Sequence, residues 1–200
     1  MSTLSVILDL LVPPRASERL VRSLKLDELF VLAHRDRGAL PYHDPRVTAL
    51  VWEVKYRANK RALSLAGQFL AEQLLAIAAE ELGAPLLVPV PMHEKRKKTR
   101  GHNQTELLCR ALMAELQEPV EYLPLALKRI KETSPQQGLE RQKRLKNVVG
   151  SMQAIPSLVE GRACIVVDDV TTTGATLEEA ARALKEAGAR RVHFLTLAES

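Results

Sequence analysis

The sequence is poor in cysteine and in aromatic residues. Its 200 residues include two cysteines, Cys109 and Cys164, and only three Phe, three Tyr and one Trp. The cysteines lie far apart, form no C-x-x-C pair and fall in apolar patterns, so we expect buried free thiols. That usage fits a reducing compartment, and we expect a cytoplasmic protein. The scarcity of aromatic rings leaves little for bases of a nucleic acid to stack on.

Several motifs and runs are missing as well. The chain has neither the G-K-[ST] of a Walker loop nor the G-x-G-x-x-G of a dinucleotide site. Asp9 interrupts the apolar run near the N-terminus, and no other run suggests a membrane span, so we expect no membrane insertion. The 46% hydrophobic content suffices for one core, and the net charge of +5 indicates anionic ligands, either phosphates or nucleic acid.

The most informative stretch runs from Ala163 to Thr176 and reads A-C-I-V-V-D-D-V-T-T-T-G-A-T. Its apolar start predicts a parallel strand that is buried on both faces. Asp168 and Asp169 come at the carboxyl end of this strand, before a turn of small residues and a helical pattern that Gly188 closes. In an open α/β sheet, ligands bind at such a strand-to-helix junction.

The residue types of this junction favour a phosphoribosyl group. Backbone N–H groups of small residues, together with the positive end of the next helix, can cradle a phosphate. The two carboxylates repel phosphate but suit the hydroxyls of a ribose, directly or through Mg²⁺. A structural role in which an Asp only caps the helix accounts for one acid and not for two. The predicted binding residues are Asp168, Asp169, Thr171, Thr172, Thr173, Gly174, Ala175 and Thr176.

The rest of the chain alternates helical and strand patterns, which predicts a doubly wound, mainly parallel sheet flanked by helices. Short helices are predicted in a small N-terminal segment, where Leu20, Leu24 and Leu29 supply an apolar stripe. Asp44-Pro45 is a strong helix start, followed by an apolar face of Val47, Leu50, Val51 and Val54. The predicted elements are a helix over 63–82, a strand over 86–90, a helix from Asn103 to about Leu116, a strand over 120–123 and an edge strand over 191–197.

Two basic segments accompany the predicted site. Lys95, Arg96, Lys97, Lys98 and Arg100 follow the strand over 86–90, where a pyrophosphate would need cations. Residues 128–147 read as a turn followed by a basic helix, a composition suited to a loop that closes over phosphates. For both segments an exposed basic surface is the alternative. The residues assigned are Val90, Pro91, Lys95 and Arg100 in the first segment and Lys131, Gln136, Arg141 and Arg144 in the second.

The stretch over 163–176 resembles the diphosphoribose-binding signature of type I phosphoribosyltransferases. Together with L-L-V-P-V-P-M-H, R-G-H-N-Q, K-E-T-S-P-Q-Q-G-L-E-R-Q-K-R-L-K-N-V and A-L-V-W-E-V-K-Y-R, it resembles the ComF family of phosphoribosyltransferase-like competence proteins. The resemblance covers about residues 45–198. It implies 5-phosphoribosyl 1-pyrophosphate (PRPP) with Mg²⁺ as ligands and displacement of pyrophosphate by a nitrogen nucleophile. Asp168, Asp169 and Arg100 are then the expected catalytic residues.

The chain departs from the family pattern in two places. Such proteins usually begin with a cysteine-rich zinc module, but residues 1–44 contain no cysteine, and His34 with His43 cannot complete a four-ligand site. We therefore expect no zinc, and we divide the chain into an N-terminal helical segment, 1–44, and a phosphoribosyltransferase-like domain, 45–200. His102 stands where relatives usually carry phenylalanine.

Three functions remain open at this point. The resemblance implies a role in DNA uptake, with single-stranded DNA and a helicase-like competence protein as expected partners. A nucleobase or nucleotide salvage phosphoribosyltransferase is the second possibility, and a non-catalytic scaffold for DNA or the helicase is the third. The acceptor, the occurrence of catalysis and the formation of a homodimer stay undecided.

Overall fold

A computed structural model describes residues 15–33, 38–117, 120–132 and 148–200. Its main sheet has five parallel strands in the order β1-β7-β6-β2-β3, and a two-stranded antiparallel sheet is formed by β4 and β5. The strands are β1 (Leu40–Pro41), β2 (Leu86–Pro89), β3 (Glu121–Tyr122), β4 (Leu127–Arg129), β5 (Met152–Ala154), β6 (Ala163–Thr171) and β7 (Arg191–Glu199). The parallel α/β fold predicted from the alternating pattern is confirmed.

Helices cover both faces of this sheet. They are α1 (Ala16–Ser23), α2 (Leu26–Leu32), α3 (Pro45–Trp52), α4 (Lys60–Ala79), α5 (Glu94–Arg100), α6 (Gln104–Met113), α7 (Pro156–Val159) and α8 (Ala175–Glu186). A π-helical turn, Glu53–Arg57, extends α3. Side chains of β6 alternate between the two cores: Ile165 and Val167 pack with α1–α4 and α6, whereas Cys164 and Val166 pack with α7, α8 and the small sheet.

Local signals explain where the helices begin. Asp44 caps α3 by accepting the Arg46 N–H, with Pro45 at the first helical position, and all four residues of the predicted apolar face are buried. Asn59 caps α4 through two backbone N–H groups, so that helix begins three residues before the predicted position. Gly67 lets α4 approach α6, because a Cβ there would lie 2.7 Å from the backbone carbon of Ala111.

Helix α4 is long and apolar enough to cross a membrane by length and composition alone, which the sequence did not lead us to expect. Its apolar face lies in the core: Ala62, Ala66, Phe69, Leu70 and Leu74 are buried there. A single helix of this kind is weak support for a membrane span, because core helices of globular proteins meet the same criteria.

Three local predictions were wrong. Lys128 and Arg129 belong to β4 rather than to a mobile basic segment, because β4 pairs with β5 over Leu127–Arg129. Strand β7 is not the predicted edge strand of the sheet, because β1 pairs with its last residues, Ala198 and Glu199. In α1 the side chain of Val21 is buried, whereas Leu20 is exposed.

The predicted boundary between residues 44 and 45 stays a prediction. Residues on both sides of it contribute to the same core, since Val21, Leu24 and Leu29 pack with Val47 and Leu50. Strand β1, which lies before the boundary, is part of the main sheet.

Candidate functional site

The two predicted carboxylates lie inside the central strand β6, near its carboxyl end. Asp168 and Asp169 are only 6% and 4% exposed. The Asp169 N–H donates to Asp168 Oδ1 at 2.9 Å, and the Val170 N–H donates to Asp169 Oδ1 at 2.9 Å. On one side of β6, Asp168 is paired in register with Thr196 of β7. On the other side, Val90 directly follows β2, and its N–H donates to the Val167 carbonyl, so Val90 lies beside the diacid. The diacid therefore occupies the end of the sheet where ligands bind in this architecture.

Burial makes this pair of acids electrostatically unfavourable. Desolvation raises the pKa of Asp168 well above its ordinary value, and the neighbouring charge of Asp169 raises it further. The Asp169 N–H and the charge of Lys55 act in the opposite direction. A cation or a set of hydroxyl donors that meets both carboxylates would relieve this cost.

Lys55 provides a positive charge from the π-helical turn. Its Nζ lies 3.3 Å from Asp169 Oδ2. That oxygen is buried and accepts no hydrogen bond among the described residues, so the contact is an ion pair without good hydrogen-bond geometry. The sequence placed Lys55 in a motif typical of the ComF family but did not predict its contact with the diacid.

The predicted phosphate-binding loop directly follows β6 in the chain. Residues 172–174 form a bend, and Gly174 has a φ of 76°, a left-handed conformation that favours glycine. Helix α8 begins at Ala175, whose N–H donates to Thr173 Oγ1 at 3.4 Å, and its N-cap residue Gly174 has no side chain. Thr171 ends β6, and Thr176 lies in the first turn of α8. The positive end of α8 therefore faces the same end of the sheet as the diacid.

The loop after β2 lies beside the diacid and is held firmly. The Val90 carbonyl accepts hydrogen bonds from Asn103 Nδ2 at 3.2 Å and from Thr105 Oγ1 at 2.7 Å. Asn103 also caps α6, as predicted, by accepting the Thr105 N–H. Both polar side chains are buried, so they fix the course of the backbone at Val90 and Pro91.

The basic residues after this loop form the short helix α5 rather than a loop. Lys95 Nζ pairs with Glu132 at 2.7 Å, and both side chains are largely exposed. Arg100 donates to Gln104 Oε1 at 2.9 Å, and its guanidinium lies 5.0 Å from the ring centroid of Tyr56. Within the described residues, neither cation contacts the carboxylates of the diacid.

Arg129 of β4 also belongs to the site, although the sequence did not single it out. Its Nε donates to the Pro91 carbonyl at 3.0 Å. Burial lowers the pKa of its guanidinium, and attraction to the charge of Asp168 opposes that shift. Its only signal in the sequence was membership in the basic segment over 128–147.

Of the four residues assigned in the second basic segment, the structure describes only Lys131. Lys131 follows β4, and its N–H lies 3.4 Å from the Ser151 carbonyl. Gln136, Arg141 and Arg144 lie outside the described residues.

The absence of zinc remains a prediction. Cys109 and Cys164 are buried on opposite faces of the sheet, and no group of three or more His, Cys, Asp or Glu suited to a metal occurs in the described ranges.

Comparison with known proteins decides the family. The sequence profile of the phosphoribosyl transferase domain matches residues 71–200, more than half of the chain. The DNA utilization protein YhgH of Salmonella typhi is 32% identical over 157 residues, which are 78% of this chain and 68% of that protein. Competence protein F of Haemophilus influenzae is 34% identical over 57% of this chain and 50% of its own length. The chain belongs to the ComF family.

The matched range contains the diacid, the phosphate loop and the loop after β2 of this ComF-family protein. Lys55 and the π-helical turn lie before it. Among solved structures, the allosteric regulatory enzyme of purine biosynthesis is 20% identical over 73% of this chain and 30% of that chain, with a TM-score of 0.44. The fold is assigned from the strand order and the family profile and not from this similarity.

Proposed function

We propose that the protein binds PRPP with Mg²⁺ at the carboxyl end of its parallel sheet. The observation that carries this proposal is the pair of buried carboxylates, Asp168 and Asp169, next to the start of α8, where the N-cap residue Gly174 has no side chain. A diacid alone would attract only a cation, and a helix start alone would attract only an anion. A phosphorylated sugar has hydroxyls for the acids and a phosphate for the helix.

Each part of PRPP then has a place. The 5′-phosphate is bound by residues 172–176, and the ribose hydroxyls by Asp168 and Asp169. The pyrophosphate lies against Val90 and Pro91, with Arg129, Lys95 and Arg100 as sources of positive charge. The surface ion pair of Lys95 with Glu132 is worth little in water, so a phosphate can replace the glutamate.

The diacid also fits Mg²⁺. Carboxylate oxygens are the ligands this hard cation prefers, and Asp169 Oδ2 is a buried acceptor without a hydrogen bond. When bound with PRPP, the ion would neutralise charge on the pyrophosphate. Asp168 and Asp169 would hold it directly or through the ribose hydroxyls.

The chemistry that this arrangement supports is transfer of the phosphoribosyl group. The bond from C1 of the ribose to the pyrophosphate oxygen breaks and its electron pair leaves with pyrophosphate. The acceptor nitrogen forms a bond to C1 and releases its proton to water. Positive charge develops on the sugar, and the nearby carboxylates would stabilise it. Arg129 and Arg100 would neutralise the leaving group.

The process in which this occurs is proposed from the relatives, one named a DNA utilization protein and one a competence protein. We place the chain in the handling of incoming DNA in the cytoplasm, together with a helicase-like partner. If that process uses the PRPP site, an Asp168→Asn, Asp169→Asn double variant should fold but should fail to support DNA uptake in a transformable source organism. Full transformation frequency in a strain carrying only this variant would contradict the proposal.

A second candidate function, direct contact with single-stranded DNA, is favoured by an exposed aromatic pair. The ring centroids of Trp52 and Tyr56 lie 4.3 Å apart with the ring planes tilted by 46°, both residues are exposed, and the Arg100 guanidinium lies over the Tyr56 ring. Bases stack on such surfaces, and the cations of α5 can meet the backbone phosphates. Replacing Trp52 with Ala should weaken DNA binding and leave PRPP binding unchanged, whereas an equal loss of both would contradict a separate DNA surface.

Catalysis is tested by measuring release of pyrophosphate from PRPP and Mg²⁺ in the presence of a panel of nitrogen nucleophiles. Release that depends on one acceptor and disappears in Asp169→Asn would support transfer. Tight PRPP binding without release for any acceptor would support the scaffold alternative.

A further inference from the structure

The turn that carries Lys55 has an unusual backbone. Glu53–Arg57 is a π-helical turn, and Ala58 at its end has a φ of 49°. Among the described residues, Ala58 is the only non-glycine with positive φ. A left-handed alanine is strained, and strained or π-helical segments are often found at functional sites. This local cost is consistent with a role for the position of Lys55.

Three neighbours hold the turn in place. Ser17 Oγ donates to Glu53 Oε1 at 2.7 Å, and Asn59 Nδ2 donates to Glu53 Oε2 at 3.1 Å. Glu53 is buried, so these bonds are protected from water. On the other side, His102 Nε2 lies 3.3 Å from the Lys55 carbonyl oxygen. The backbone of Lys55 is therefore connected to α1 and to the segment that follows α5.

The side chain of Lys55, in contrast, is partly exposed and, among the described residues, makes one ion pair, with Asp169. It is 29% exposed, whereas the side chain of its partner Asp169 is 6% exposed. Lysine is a compact charge on a flexible stem, and its ion pair with Asp169 lacks hydrogen-bond geometry. The ammonium thus balances a buried carboxylate by its charge and without a hydrogen bond to Asp169 Oδ2.

We infer that Lys55 neutralises Asp169 in the ligand-free protein and moves to the pyrophosphate of PRPP when the ribose hydroxyls replace it on the carboxylate. This inference rests on the proposed function. Without ligand, a desolvated diacid needs a nearby cation, and in the described ranges Lys55 is the cation that forms an ion pair with Asp169. When PRPP is bound, its pyrophosphate lies against the loop after β2. The chain continues from that loop through α5 to His102, which contacts the turn that carries Lys55.

The test compares PRPP with ribose 5-phosphate, which has the same phosphate and ribose but no pyrophosphate. Affinities for both are measured by calorimetry with Mg²⁺ for the parent protein, Lys55→Met, Lys55→Arg and the control Lys60→Met. Lys60 is an exposed lysine at the start of α4, so its replacement removes the same charge away from the site. Lys55→Met should lose about tenfold or more in PRPP affinity, because a charged hydrogen bond is lost.

The same variant should bind ribose 5-phosphate at least as tightly as the parent, since the acid no longer has to release a lysine. Lys55→Arg, which keeps the charge, should bind PRPP more tightly than Lys55→Met, and Lys60→Met should match the parent for both ligands. An equal loss of both ligands in Lys55→Met would overturn the inference and make Lys55 a support for Asp169 only. Unchanged PRPP affinity would overturn it too.

A ligand-free measurement completes the test. Lys55→Met should lower the melting temperature of the parent but not that of Asp169→Asn, in which the carboxylate charge is already absent. Equal lowering in both backgrounds would show that Lys55 does not balance Asp169. If the parent binds no PRPP at all, the proposed function fails, and this outcome is distinct from a failure of Lys55→Met to differ from the parent.

Discussion

Arg129 Nε donates a hydrogen bond of 3.0 Å to the carbonyl oxygen of Pro91. The bond joins the small sheet of β4 and β5 to the loop after β2, and the charge of Asp168 opposes the lowering of the guanidinium pKa by burial. One residue therefore connects the second sheet to the loop proposed to bind pyrophosphate, and its charge interacts with that of the diacid.

The first prediction follows from this connection. Lysine lacks the planar fork of arginine, so Arg129→Lys cannot hold the Pro91 carbonyl and face the ligand at once. PRPP affinity should fall about tenfold, as for the loss of one charge-assisted hydrogen bond. Lys128→Met, at the exposed neighbouring position of β4, is the control and should bind PRPP like the parent. Titration calorimetry that finds equal affinities for the two variants would rule out this role of Arg129.

The second prediction concerns the other attachment of the small sheet. Buried Glu179 of α8 accepts the Met152 N–H at 2.9 Å and bonds to Arg182 Nε at 2.8 Å. Glu179→Gln should lower the free energy of unfolding by about 2 kcal/mol, because bonds to a charged group are weakened in a buried place. Glu178→Gln, one residue away and exposed, should cost less than about 1 kcal/mol. Urea denaturation that gives the same value for both would contradict this attachment.

The fold was predictable from the sequence where hydrophobic pattern and caps agree. The apolar run before Asp168 gave the central strand, and Asp44 and Asn103 gave the starts of α3 and α6. Strand β1 was not predictable, because two residues carry no period. Strand β4 was missed because its three residues look like part of a basic, polar segment.

The site was predictable only where its residues are contiguous. The diacid and the phosphate loop lie in one stretch, so their chemistry could be recognised from residue types alone. Lys55 contacts the diacid from a π-helical turn, and Arg129 interacts with its charge from a short second sheet, both in distant parts of the chain. Contacts of this kind depend on tertiary packing, and the sequence could only place these residues in basic or family-typical segments.

The third prediction uses the raised pKa of Asp168. In the folded protein this carboxyl holds its proton to a higher pH than in the unfolded chain, where the pKa is about 3.9. Its contribution to stability is present below pH 4 or so and is lost as pH rises from about 4 through the raised pKa. Asn cannot ionise, so Asp168→Asn does not lose stability in this way. The free energy of unfolding of the variant should therefore increase relative to that of the parent as the pH rises through this range. Thermal melts from pH 4 to 8 that show a constant difference would contradict the assignment.

The fourth prediction separates DNA binding from PRPP binding. Lys97 pairs with Glu106 at 2.9 Å, Lys95 pairs with Glu132, and Lys98 is exposed on the same short helix. If single-stranded DNA binds there, the plot of log affinity against log salt has a slope of about −0.7 for each neutralised phosphate. Replacing all three lysines with Ala should flatten the slope by up to about 2, and Asp168→Asn should leave it unchanged. Undetectable binding by the parent at low salt would argue against direct DNA contact.

The account as a whole depends on PRPP binding at the diacid. The most direct measurement is titration calorimetry of the ligand-free protein with PRPP and Mg²⁺, for the parent and for Asp168→Asn and Asp169→Asn singly. Each substitution keeps the shape of the side chain and removes its charge, and each should reduce affinity about tenfold or more. Circular dichroism of both variants should match the parent, because the carboxylates do not hold the fold together. Unchanged PRPP affinity in both folded variants would contradict the site.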